Sequence, residues 1–596
     1  MRFLNPFCIK IISNHLNLIT NFSQNLTTSS QISKPQQFLQ LLNQITTLKQ
    51  FNQLHAHIIT SGLHYNQFLI GKLIEISAIK FNNKKNNNMA YPIMIFNHSV
   101  HQDQFTWNTI IRGYSISHTP YHALYVFVKM LRESVEPQSF TFAFLLKACA
   151  RSHALVSGKS VHCVVLKCGY GSDLFVANTA IHFYSSCGDL RSAEKVFDEM
   201  GERNVVTWNA VISGYVQNGF SDDGLRVFDR MRVEGIRPND VTMISVISAC
   251  GQKEDLKLGT WAHAYVAENS VEFESNIINV GTSLIDMYGK CKEMDLARRV
   301  FDQMQKRDIA VWNALINGYV SNRLFREALD LFKELKANGL DPDEPTLVTI
   351  LSACGHLGAL DVGKKIHIYA EERNLLFNVT LGTALVDMYS KCGCIIEAKE
   401  VFSKMSDHDV MTWTSMIGGL AVHGHANDAL NLFIQMLNIG LKPDGITFVG
   451  VLCACSHAGF VDQGLHYFDS MRSNYKISPT IEHYGCIIDL LGRAGRIQDA
   501  YDMISSMEIQ PNAIVWRALL SACRLHSNVK IAESSVENLF KLQSDNCGDY
   551  VLLSNIYASK GRWDDVKNIR KKMEERGIKK KPGLSLIETN SRPRMH

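Results

Sequence analysis

Fifteen cysteines and twenty-two histidines give this chain of 596 residues the side chains for metal binding or nucleophilic catalysis. Their spacing argues against both. Neither Cys-x-x-Cys nor His-x-Glu occurs, and the close pairs Cys392/Cys394 and Cys453/Cys455 are two apart, which on a helix points them to different sides. The thiols recur at long fixed intervals instead. Cys149, Cys250, Cys354 and Cys455 form one series, Cys187, Cys291 and Cys392 a second, and His162, His263 and His367 keep step with them. A nucleophile is not repeated about once per hundred residues without a partner, so these residues are expected to be small packing thiols and structural histidines. The odd cysteine count, with no secretory signal, favours reduced thiols over a disulfide framework. The sequence has no phosphate-cradling glycine loop, no G-x-S-x-G and no carboxylate pair in a distinctive setting. No catalytic residue, metal or cofactor is expected.

The elements behind these series are repeated too. FTWNTIIRGY at 105-114, VTWNAVISGY at 206-215, AVWNALINGY at 310-319 and MTWTSMIGGL at 411-420 are near copies, and Trp107, Trp208, Trp312, Trp413 and Trp516 lie 101, 104, 101 and 103 residues apart. Two motifs of 35 residues and one of 31 account for each 101, while the interval of 104 carries three extra residues near ENSVEFESN. Trp208, Val211, Ile212 and Tyr215 fall at i, i+3, i+4 and i+7, the apolar stripe of one helix. Gly219 breaks it. Leu225, Phe228 and Met231 form a second stripe, which EGIRPN closes with Gly and Pro. Each motif is thus read as a hairpin of two short antiparallel helices, too short to hold alone and stable only when stacked on its neighbours. The fold class expected is all-α, an α-solenoid superhelix of tandem helix-turn-helix repeats.

A formal charge of +4 with 20% charged residues is only mildly basic, so general polycationic binding is not indicated, although a local basic groove is compatible with it. No apolar run approaches the roughly 18 residues of a membrane span, and no membrane partner is expected. The first acidic residue is Glu75, and the segment before it, with Arg2, Lys10 and Lys34 among apolar and Ser/Thr-rich stretches, suggests an organellar transit peptide over 1-35. An Asn-rich disordered terminus without an address is the alternative.

The unequal lengths, with IRPND, LDPDE and LKPDG closing the long motifs, resemble the PLS subclass of the plant pentatricopeptide repeat family. VFDEM, LIDMYGKCKEMDLARRVFDQM and FVGVLCACSHAGFVDQGL carry the same resemblance, from about Phe38 to Glu588. A tetratricopeptide solenoid would keep a uniform 34-residue period and a Gly four places after the Trp, where this chain has Ile111, Ile212, Ile316 and Ile417. The resemblance divides the chain into a degenerate pair of repeats at 36-103, an array at 104-512, two extension modules at 513-580 and a short divergent tail at 581-596. The array comprises motifs 104-138, 139-173, 174-204, 205-239, 240-277, 278-308, 309-343, 344-378, 379-409, 410-444, 445-480 and 481-512.

The family implied by this resemblance binds single-stranded organellar RNA, one nucleotide per motif, reading the base with the fifth and last residues. Carried over, Asn178/Asn204 and Asn209/Asn239 favour pyrimidines, Thr282/Asp308 favours G, and Asn313/Asp343 favours U. Thr383/Asp409 and Thr414/Asp444 again favour G. Asn108/Gln138 and Gly485/Asn512 depart from the common pairs and are weaker candidates, and the middle motifs are unread. From motif 174 to motif 410 the implied sequence is Y-Y-n-G-U-n-G-G. The plain alternative is that a terminal Asp or Asn is an N-cap and a fifth Asn or Thr needs no ligand.

Members of the subclass often continue into a zinc deaminase that converts C to U. Here KPGLSLIETNSRPRMH places Leu584 and Leu586 where the family has Cys and Trp, and no deaminase ligands follow. The resemblance therefore implies a site-recognition factor for C-to-U editing in a mitochondrion, or alternatively a chloroplast, with the deaminase or other editing-complex proteins supplied in trans. RNA binding for splicing, end protection or translation is a second reading. A protein-binding scaffold of tetratricopeptide type is a third.

Overall fold

A computed structural model describes residues 34–81, 89–99, 102–269, 276–373, 375, 378–542 and 546–578. The leader before Lys34, the tail with Leu584 and Leu586, and residues 270–275 of the long interval lie outside the described residues. Among the described residues the regular elements are helices, without strands, and none is long and apolar enough to cross a membrane. The chain divides into two compact units, residues 1–306 and 307–596.

In the first unit, Lys34–Gln44 and Leu48–Thr60 lead into Gln67–Glu75, which runs on as a π-helical turn, Ile76–Lys80, before Ala90–His98. Six regular hairpins follow, beginning with Gln104–Ile116 and His122–Arg132 and closing with Ile277–Lys290 and Met294–Gln303. In the hairpin that contains VTWNAVISGY, the first helix is Val205–Gln217 and the second Ser221–Val233. Gly219 sits between them at φ +82°, the left-handed conformation that costs a residue without Cβ least. Trp208, Val211, Ile212 and Tyr215 are all buried, as are Phe228 and Met231, while Leu225 is only half-buried. Each buried large side chain is worth about 1.5–3 kcal/mol, which offsets the marginal stability of an isolated helix of 13 residues.

Within each unit, first helices pack on first helices of neighbouring motifs, and each second helix packs on its own first helix. The Phe197 ring from the preceding motif meets Trp208 edge to face at 4.8 Å between centroids. The first-helix layer is close-packed: a Cβ on Gly214 would overlap Ser185 Oγ of the preceding motif.

The second unit repeats the plan from Ile309–Ser321 and Phe325–Ala337 to the extension hairpins Ala513–His526 with Val529–Lys541 and Cys547–Ser559 with Trp563–Glu575. Trp312, Trp413 and Trp516 are buried, and Phe402 meets Trp413 edge to face at 5.1 Å.

The 31-residue motifs are shortened in one place. Their first helices, Leu174–Ser186, Ile277–Lys290 and Val379–Lys391, keep 13 or 14 residues, but their second helices, Leu190–Glu199, Met294–Gln303 and Ile395–Lys404, have 10 instead of 13. The motif is shortened without disturbing the helices that carry the fifth places.

The recurrent histidines are structural in the way expected. Nδ1 of His162, His263 and His367 lies 2.8–2.9 Å from the hydroxyl of Tyr184, Tyr288 and Tyr389 respectively, and His55 pairs with Tyr91 at 2.6 Å. Burial lowers all four imidazoles below their ordinary 6.5, His55 to about 4.

Candidate functional site

The last residue of a motif is the N-cap of the next first helix. Side-chain oxygens of Asn204, Asn239, Asp308, Asp343, Asp409, Asp444 and Asn512 each accept the backbone N–H three residues on, at 2.8–3.3 Å. Capping is therefore a real role of these residues. It uses Oδ1 and leaves one further atom, the Oδ2 of an Asp or the Nδ2 of an Asn, with different hydrogen-bonding character.

The fifth residue comes to that cap from the preceding first helix. Asn209 Nδ2 donates to Asn239 Oδ1 at 2.9 Å, and Asn313 Nδ2 donates to both Asp343 oxygens at 2.9 and 3.1 Å. Although burial alone raises the Asp343 carboxyl, hydrogen bonds from Thr346 and Asn313 outweigh it and hold the group below the usual carboxylate value. At Thr383/Asp409 and Thr414/Asp444 the link is indirect. Thr383 Oγ1 lies 2.6 Å from Thr412 Oγ1, which donates to Asp409 Oδ1 at 2.8 Å; Thr414 Oγ1 lies 2.7 Å from Thr447 Oγ1, which donates to Asp444 Oδ1 at 2.8 Å.

Other pairs are not joined in this way. Asn178 Oδ1 is buried without a partner, and Thr207 donates to Asn204 at 3.1 Å. Thr282, in the first unit, donates along its own helix to the Ile278 carbonyl at 2.7 Å, whereas Asp308 caps Val311 in the second. Asn108 accepts from Thr141 at 2.6 Å, and the exposed Gln138 contributes its backbone N–H to the same threonine at 3.0 Å. Gly485 has no side chain, and a Cβ there would meet open space.

Two sets of residues that belong to this site escaped the sequence reading. One is the third-place threonine that binds the fifth and last residues. Its signal was present as Asn/Asp-x-x-Thr at 204-207, 239-242, 343-346, 409-412 and 444-447, a capping-box variant. The other is a set of large apolar side chains at the second place of some motifs, although motifs 278, 309 and 379 have Asn279, Ala310 and Thr380 there. Phe105, Phe140, Phe175, Val206, Val241, Met411, Ile446 and Ile514 are 44–63% exposed. They lie off the buried stripe, two residues after the cap, and consecutive ones touch where Phe140 meets Phe175 at 5.6 Å between centroids. Such side chains offer flat apolar surface beside the polar pairs.

The thiols behave as packing residues in one series and less completely in the other. Cys149, Cys250, Cys354, Cys455 and Cys523 are buried, while Cys187, Cys291 and Cys392 are half-buried. Burial pushes Cys149, Cys250, Cys354 and Cys523 up to about 12 and Cys455 to about 11. Among the described residues no group of three or more His, Cys, Asp or Glu side chains is placed to hold a metal ion.

The comparisons with known proteins agree with this architecture. The family model for the PPR repeat family matches residues 102–151, 203–252, 307–356 and 408–457, and that for the PPR repeat matches 175–205, 282–309, 383–410, 446–475 and 482–509. The E motif matches 526–588. A chloroplastic pentatricopeptide repeat-containing protein of Arabidopsis thaliana is 40% identical, covering 93% of this chain and 78% of its own length. A mitochondrial one from the same plant is 37% identical, covering 95% and 87%. The crystal structure of the pentatricopeptide repeat protein PPR10 from maize superposes with a TM-score of 0.50 at 15% identity, covering 96% of this chain and 99% of that one. PPR10 in complex with an 18-nt psaJ RNA element gives the same score over 85% and 84%. At that identity the likeness to PPR10 is one of fold, whereas identity of 37–40% over nearly the whole chain is one of family. The chain belongs to the pentatricopeptide repeat family and carries an E motif.

Proposed function

We propose that this protein binds single-stranded RNA inside an organelle, one base per readable motif, and acts as the site-recognition factor for C-to-U editing with a deaminase recruited in trans. The observation that carries the reading is the joining of fifth to last residue across adjacent first helices, as in Asn209–Asn239 and Asn313–Asp343. An unstacked base beside such a pair meets a defined set of donors and acceptors, and where the second place is large and apolar, as at Phe175, Val206 and Met411, it adds a face for the base to lie against. The last residue then discriminates pyrimidines. Asp343 Oδ2, which accepts from Asn313 at 3.1 Å, keeps a second lone pair for the N3–H of uracil, while Asn239 keeps an Nδ2 to donate to the N3 acceptor of cytosine. At roughly 1 kcal/mol per net hydrogen bond, six readable motifs provide on the order of 6 kcal/mol of discrimination.

The E motif supports the editing role, and PPR10 with its psaJ element supports RNA as the ligand of this fold. The relatives named mitochondrial and chloroplastic support an organelle, of which the mitochondrion is the first expectation. The test is binding of the purified chain to single-stranded RNA carrying Y-Y-n-G-U-n-G-G against versions with G and U exchanged for A and C. The first should bind more tightly, and changing Asn313→Thr together with Asp343→Asn should move the preference at the fifth base from U to A by about tenfold or more. Equal weak binding to all RNAs would leave the pairs as caps alone.

A further inference from the structure

The base-reading pairs are held by a third side chain. We propose that the threonine at the third place of the following motif is a specificity-determining positioning residue, so that the bases at motifs 205, 309, 379 and 410 are each read through three residues drawn from two motifs. This rests on the RNA-reading proposal and adds to it a residue that contacts no base.

The case begins with proton counting. Thr412 is fully buried, and its Oγ1 lies 2.8 Å from Asp409 Oδ1 and 2.6 Å from Thr383 Oγ1. A carboxylate oxygen can only accept, so the one hydroxyl proton of Thr412 goes to Asp409. Its oxygen then accepts from Thr383. Thr383 has thereby committed its own proton inward and offers a base only lone pairs. Two acceptors, Thr383 Oγ1 and the second Asp409 oxygen, face donors only on a base that has them, and guanine presents N1–H and N2–H₂ on its Watson-Crick edge. Thr414, Thr447 and Asp444 repeat the arrangement.

At Asn209 and Asn313 the same hydroxyl meets an amide, whereas Asn178 Oδ1, with Thr207 at the following third place, is buried without a partner. Thr242 Oγ1 lies 2.5 Å from Asn209 Oδ1 and 2.9 Å from Asn239 Oδ1, and Thr346 Oγ1 lies 2.5 Å from Asn313 Oδ1 and 2.6 Å from Asp343 Oδ1, so each hydroxyl, with one proton to give, sits between the fifth and last residues while the amide nitrogen of the Asn points to the last. The carbonyl and amine ends are thus sorted before any RNA arrives. After motif 278 the third place holds Val311, which has no hydroxyl.

Elsewhere the distribution of the third-place hydroxyl follows that of the readable motifs. Unread middle motifs have Ala143, Ile244, Val348 and Val449 at the fifth place, followed by Val176, Val280, Leu381 and His483 at the third place of the next motif. In the first extension hairpin the two places hold an ion pair instead. Arg517 donates to Asp549 through Nε at 2.8 Å and Nη2 at 3.2 Å, and Asp549 is only 1% exposed. That pair closes the position where a base would be read.

Full-length variants and single-stranded RNAs carrying U-U-A-G-U-A-G-G, with the seventh or eighth base changed to A, test this directly. The seventh base faces Thr383/Asp409 and the eighth Thr414/Asp444. Thr412→Val should reduce G-over-A discrimination at the seventh base from about tenfold to under about threefold and leave the eighth unchanged. Thr447→Val should do the reverse, and Thr412→Ser should restore the ratio. Asp409→Asn serves as the reference variant and, by replacing the carboxylate acceptor with an amide donor, should remove the G preference at the seventh base. If Asp409→Asn changes the preference but Thr412→Val does not, the threonine is a helix cap alone and the proposal fails while base reading stands. Uniform weakening for every RNA by Thr412→Val overturns it in the same way. If Asp409→Asn is also silent, base reading falls and takes the proposal with it.

Discussion

Asn209, almost wholly buried between two helices, shows how little of a side chain is needed to carry information. Its amide nitrogen is given to Asn239 and its oxygen to Thr242, so only the outward lone pair and N–H remain for a ligand. The second-place side chains should act differently, through area and not pattern. Met411→Ser is expected to weaken binding of matched and mismatched RNA alike by roughly fivefold, about 1 kcal/mol, without changing which base is preferred. Fluorescence anisotropy with both RNAs distinguishes this from loss of a reading residue. Sequence made the fifth and last residues visible because their family resemblance assigns them. Met411 and Thr412 were not legible by the same route: an exposed apolar residue and a buried hydroxyl look, in one dimension, like ordinary members of a helix's first turn. Only the fold brings Thr412 to Thr383, 29 residues earlier.

At the level of the helix pair, the apolar stripes were fully legible, since Trp208, Val211, Ile212 and Tyr215 had to share a buried face. The closeness of neighbouring pairs was not, because it depends on what lies opposite. Gly214→Ala drives a methyl group into Ser185 Oγ. It should cost about 1–3 kcal/mol by overpacking, measurable as a lower urea midpoint, with circular dichroism still helical. The histidine-tyrosine pairs between helices predict a pH dependence. Burial lowers the imidazoles below their unfolded 6.5, so the unfolded chain binds more protons in this range. Their contribution is complete above pH 6.5 and declines as pH falls toward about 4, the value for His55. Urea midpoints should therefore drop between about pH 7 and pH 5, and His263→Gln should flatten part of that slope.

Over the whole molecule, the triplet of unequal motifs is the natural unit of change. Stability in a stacked array is close to a sum over neighbours, so removing 309-409, one complete triplet, leaves Asp308 before Val410, just as Asp409 precedes it now. The shortened chain should retain its helicity per residue and select Y-Y-n-G-G in place of Y-Y-n-G-U-n-G-G. Selection of the original sequence by the shortened protein would contradict one base per motif. The period itself was evident from five tryptophans, whereas the place where the short motifs lose their residues was not. Helical periodicity reports a stripe, and it does not say that the three short second helices stop at 10 residues while the first helices remain intact.

The buried cysteine series has a consequence for chemical attack. Thiolate is the form that oxidants and alkylating agents consume, and a thiol held up at about 11 or 12 supplies almost none of it near neutrality. Cys149, Cys250, Cys354, Cys455 and Cys523 are thus sulfur in volume and polarizability but spectators in redox chemistry. Among the described residues, exposed Cys163 and Cys168 are the thiols left to meet peroxide or maleimide first. An array that repeats a cysteine in motif after motif can thereby pass through an oxidising episode with its packing unmodified.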